Sequence, residues 1–115
     1  MDDKLKLALD FSNYMITLDN QKRVLQEKYE QDLIYYFNAG RFTVTQGLVS
    51  FVQSLLQLEQ TATIIVDDNN IPVVVEDLQQ FANSIVSVYW EATNQYLTEY
   101  NKLKTNRSVE GIFDV

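Results

Sequence analysis

The chain has 115 residues, 46% of them hydrophobic, and contains neither cysteine nor histidine. Disulfides, thiolate nucleophiles, Cys- or His-based metal sites and Ser-His-Asp or Cys-His catalysis are therefore excluded. Sixteen acidic residues against nine basic ones leave a net charge of −7, which repels a phosphate backbone, so direct nucleic-acid binding is not expected.

Residues 3–37 carry apolar side chains at helical spacing, namely Leu7, Phe11, Tyr14 or Met15, Leu18, Leu25, Tyr29, Leu33 and Tyr36. They predict one long helix. The polar run Asp19-Asn20-Gln21-Lys22-Arg23 interrupts the stripe without supplying a stop, and Asn38-Ala39-Gly40 ends it, with Gly40 suited to a left-handed residue after a helix. Arg41-Phe42-Thr43-Val44-Thr45 alternates and is β-branched, which predicts a short strand. Thr45 then caps a short buried helix over 46–58, rich in Leu, Val and Phe.

Thr61-Ala62-Thr63-Ile64-Ile65-Val66 and Ile71-Pro72-Val73-Val74-Val75 flank the turn-rich tetrad Asp67-Asp68-Asn69-Asn70, a pattern that predicts a β-hairpin near 61–75. Strand 42–45 is a candidate third member of that sheet, because two strands alone are marginal. A second long helix is expected from Glu76 or Asp77 to about Lys104, with Leu78, Ala82, Ile85, Tyr89, Ala92, Tyr96 and Leu103 spaced by fours and threes and Glu99 standing where the next apolar member belongs.

The expected fold is α+β, mainly α: two long antiparallel helices, a short helix, and a small β-hairpin or three-stranded sheet. A single domain over 1–107 and a tail over 108–115 make up the chain. Helices of about 30 residues are roughly 45 Å long, far more than a chain of this size can wrap, so apolar surface should be left for a second copy or a partner to cover. Phe11, Tyr14, Leu18, Tyr89, Tyr96 and Tyr100 are the candidate self-association residues. The longest apolar runs are a few residues, so no membrane span is expected, and the acidic start Met1-Asp2-Asp3 lacks the character of a signal peptide.

No catalytic, cofactor-binding or metal-binding residues are assigned. Asp67-Asp68-Asn69-Asn70 lacks the glycine and alternation of a calcium loop and reads as a hairpin turn; Glu76 and Asp77 read as helix-capping acids; the isolated glycines at 40, 47 and 111 make no phosphate loop.

The tail Ser108-Val109-Glu110-Gly111-Ile112-Phe113-Asp114 resembles the C-terminal peptides by which replication and late-transcription proteins of T-even-type phages dock on a DNA sliding clamp. The resemblance implies Val109, Ile112 and Phe113 as anchors, although Gly111 replaces a usually bulkier residue. The alternative is that Ile112 and Phe113 pack back on the helices. More widely, LDFSNYMITLDNQKRVLQEKYEQDLIYYFNAGRFTV together with YNKLKTNRSVEGIFDV resembles small proteins of T-even-like myoviruses of marine cyanobacteria. That likeness implies a phage accessory protein in the host cytoplasm or the virion, and it transfers no site residue. Self-association with docking of a protein partner is the leading expectation; a structural virion subunit, or an acidic mimic of DNA suggested by the Lys/Arg-free stretch 42–101, are the alternatives.

Overall fold

The computed structural model describes the backbone of residues 2–114 and the side chains of residues 2–105. The described residues form helix α1 (Asp2–Asp32), strands β1 (Ile34–Phe37) and β2 (Gly40–Thr43), helix α2 (Gln46–Gln57), strands β3 (Thr63–Val66) and β4 (Pro72–Val75), and helix α3 (Leu78–Asp114). The mainly helical α+β class is as expected. β1 pairs with β2 and β3 with β4, both antiparallel, as two separate hairpins.

Helix α1 stops earlier than the apolar spacing predicts. Ile34-Tyr35-Tyr36-Phe37 is aromatic and β-branched, and it has a ready partner in 40–43, so extended pairing displaces the helix. Asn38 and Ala39 take φ of 47° and 64°, which makes the link a two-residue turn of the type that matches strand twist. Gly40 is thus not a left-handed helix terminator; it lies buried in β2, paired with Phe37. A Cβ on it would stand 2.6 Å from Val73 Cγ2, so glycine lets the first hairpin approach the second.

α2 begins at its predicted cap, where Thr45 Oγ1 accepts from Leu48 N–H at 3.1 Å. It ends with Glu59 left-handed, φ 63°, while Gln60 N–H bonds Leu55 C=O and Glu59 N–H bonds Leu56 C=O. That pair of bonds satisfies carbonyls the helix end would leave open. Asp77 caps α3, its Oδ1 accepting from Gln80 N–H at 3.0 Å. α3 then runs beyond the expected end at Lys104, to Asp114. The segment expected as a separate tail continues the helix, since Pro is absent and Gly111 is not a stop by itself.

Two compact units divide the chain. One comprises Met1–Lys28 with Gln95–Val115, the other Tyr29–Asn94. In the first, Leu18 and Lys22 of α1 lie beside Tyr100, Leu103 and Lys104 of α3. Within the second, Phe42, Val44, Val52, Val73, Val75, Leu78, Phe81 and Ile85 form the core, joined by Ile65 and Ala82. Phe81 is its centre: the rings of Phe37 and Phe42 meet it edge-on at 5.3 and 5.5 Å, and Tyr35 is tilted at 6.1 Å. Edge-to-face contacts of this kind add to the ~1.5–3 kcal/mol of burying each such side chain.

The two hairpins are joined by acids instead of by a third strand. Arg41 N–H donates to Asp67 Oδ2 at 3.0 Å, Asp68 N–H donates to Arg41 C=O at 2.9 Å, and Thr43 donates to Asp68 through both N–H and hydroxyl. Asp67 Oδ1 also accepts from Asn69 and Ile71 N–H within its own turn. These donors, Arg41 first and then Ile71, hold the Asp67 carboxyl below the usual carboxylate range against the opposing effect of burial. The Asp67-to-Asn70 tetrad is a hairpin turn, closed by Asn70 N–H on Asp67 C=O, with its carboxylate consumed by backbone donors.

Candidate interaction surfaces

Helical spacing puts Leu7, Phe11, Tyr14, Leu18 and Leu25 on one side of α1. Their environments differ sharply. Leu18 is 3% exposed, so this expected self-association residue packs inside the chain, beside a narrow recess that it lines with Lys22, Tyr100, Leu103 and Lys104. Phe11 is 59% exposed and Tyr14 half-buried. Tyr96 is half-buried with its ring edge-on to Tyr100 at 6.4 Å, and Tyr100 remains accessible.

Tyr89 belongs to the other unit. It packs against the Phe81 core, and its hydroxyl accepts from Gln46 Nε2 at 2.8 Å, so it serves the chain's own packing. The side chains of Val109, Ile112 and Phe113, the expected tail anchors, lie outside the described residues.

Three surfaces escaped the stripe reading. Leu5, Leu9 and Ile16, each more than half exposed, form a second apolar line on α1, away from the side that holds Leu18. Within the same unit, Thr17, Asn20, Gln21, Val24 and Leu25 of α1 and Glu99, Lys102 and Leu103 of α3 line an open groove of about 520 Å³. Its lining takes in Asn20 and Gln21 from the polar interruption of α1 and Glu99, the misfit in α3. Glu99 and Lys102 are 3.3 Å apart on its rim, an exposed pair of small energetic weight.

The third surface is the outer face of the β3–β4 hairpin. Ile64 stands opposite Val74 and Val66 opposite Pro72, all exposed, while Ile65, Val73 and Val75 point into the core. Both faces of this hairpin are therefore apolar.

Charge is divided as unevenly as exposure. Of the sixteen acids and nine bases, eight acids and one base, Arg41, lie in residues 29–94, a net of −7; the helical unit holds the remaining eight of each and is neutral. Arg41 is itself 3.4 Å from Asp68. Among the described residues no helix is long and apolar enough to cross a membrane. No known protein family, curated protein or solved structure compared with this chain matches it.

Proposed function

We infer that this chain is a non-enzymatic interaction protein that self-associates through its long helices, at the neutral helical unit. The observation that carries the reading is the first half of α1. Every side chain from 2 to 13 is exposed, and Leu5, Leu7, Leu9 and Phe11 are each more than half so. A short helical stretch without packing is marginal in water, and apolar residues on two of its sides are accounted for when neighbouring helices cover them. Charge supports the choice of a second copy as that cover: helical units meet without net repulsion, whereas contact through residues 29–94 sets −7 against −7.

Light scattering at micromolar concentration tests the reading. A dimer or larger species is expected, and Leu9→Glu with Phe11→Glu should weaken it at least tenfold while circular dichroism reports a folded chain. A compact wild-type monomer overturns the proposal. The resemblance of the tail extends it to a phage accessory role, with Val109, Ile112 and Phe113 docking on a sliding clamp. Removing 108–115 and repeating a pull-down against the clamp decides that extension: binding lost with the tail supports it, and binding unchanged, or absent from both forms, removes it.

A further inference from the structure

We propose that the outer face of the β3–β4 hairpin, formed by Ile64, Val66, Pro72 and Val74, docks a basic amphipathic helix of a partner protein. An antiparallel hairpin with one solvated face alternates apolar-in and polar-out; strands apolar on both sides are those covered on both sides. Here the inner side is already covered, since Ile65, Val73 and Val75 belong to one core with Leu78, Phe81 and Ile85 of α3. A second helix laid on the outer side would complete a helix–sheet–helix layering, one of the few stable ways to bury a sheet face. Four-residue strands are about 13 Å long, which three turns of helix, about 16 Å, would span.

The charge of residues 29–94 selects the occupant. The end of the apolar face beyond β4 is acidic, with Glu76 and Asp77 exposed, whereas Asp68 at the turn end is paired with Arg41. A second copy of this unit brings another −7, and a phosphate backbone is repelled in the same way. Neither long helix of this chain is basic as a whole, with seven acids and five bases in α1 and four acids and three bases in α3, and their clustered bases, Lys22, Arg23 and Lys28 and then Lys102, Lys104 and Arg107, belong to the helical unit assigned above to self-association. The complement is an apolar stripe flanked by Lys or Arg, on a different protein.

Two designed helical peptides sharing one Leu stripe, with Lys or with Glu on the polar side, are the probes. Titrated into the full chain and followed by amide chemical shifts, the Lys peptide should bind at least tenfold more tightly, with shifts concentrated in 63–66 and 73–75. Ile64→Thr with Val74→Thr keeps the β-branched shape and every charge but removes the apolar face, and should weaken that binding at least tenfold. Equal binding of both peptides, undiminished binding by the double variant, shifts elsewhere, or no binding overturns the proposal. The variant's self-association should match the wild type, so this test and the helical one fail separately.

Discussion

Gly40→Ala tests the closeness of the two hairpins. The added methyl would lie 2.6 Å from Val73 Cγ2, 3.0 Å from Phe42 Cε2 and 3.1 Å from Phe37 C=O. Carbon atoms settle at about 3.5–4.0 Å, so Val73 must retreat by roughly 1 Å, and Phe37 C=O, fixed in the β1–β2 ladder, cannot share the movement. Overpacking of this kind costs about 1–3 kcal/mol. Gly40 does not have positive φ, so alanine recovers roughly 0.4–1 kcal/mol through the unfolded chain, leaving a net loss of about 1–2 kcal/mol. Val73→Ala alone removes two buried methyl groups, about 1.6 kcal/mol before any cavity cost, but it also removes the atom that the new methyl would strike. The double variant should therefore be less destabilised than the two single ones together, by about 1 kcal/mol. Urea unfolding at one fixed protein concentration measures all four corners of the cycle, the concentration being fixed because association shifts apparent stability. A Gly40→Ala protein as stable as wild type, or additivity within about 0.5 kcal/mol, would refute the close approach as the reason for glycine.

Ala39→Gly should raise stability by about 1 kcal/mol, because φ of 64° is strained for any residue with a Cβ; an unchanged or lower urea midpoint contradicts this. Glu59→Gly, at φ of 63° after α2, should act in the same direction, and the two gains should add. The carboxyl of Asp67 titrates lower in the folded chain than in the unfolded one, so its contribution is complete above about pH 4 and is lost as pH falls through the folded value. Asp67→Asn should therefore be less stable at pH 7 and lose less of its remaining stability between pH 5 and pH 2; parallel pH profiles would show that Asp67 is not the group responsible.

Why some elements were legible and others were not follows from their chemistry. The β3–β4 hairpin and α2 stand out because Asp-Asp-Asn-Asn and Thr45 are strong local signals, and both act as such through side-chain bonds to backbone N–H groups. The first hairpin is hidden by its own turn: Asn38-Ala39 adopts a conformation usually announced by Asn-Gly, and Leu33 and Tyr36 also fit a helical stripe. Periodicity likewise cannot separate Leu18 from Phe11, which share a helix face but are 3% and 59% exposed. Whether a stripe residue meets its own chain or remains open depends on what lies opposite, a long-range fact. The outer hairpin face was missed for a related reason, since Thr63-Ile64-Ile65-Val66 reads equally as a strand covered on one side or on two.

Arg41 has its N–H and C=O bound by Asp67 and Asp68 on one side, while its strand pairs with β1 on the other. A protease must draw several residues of extended backbone into its cleft, and this segment cannot leave without releasing both hairpins. Trypsin finds no further site between 42 and 101, so its early cuts should fall at exposed cations of the helices, such as Lys28 and Lys102. Brief digestion should thus leave a fragment of about 29–102, cutting residues 2–28 away from the half of the chain that holds both hairpins.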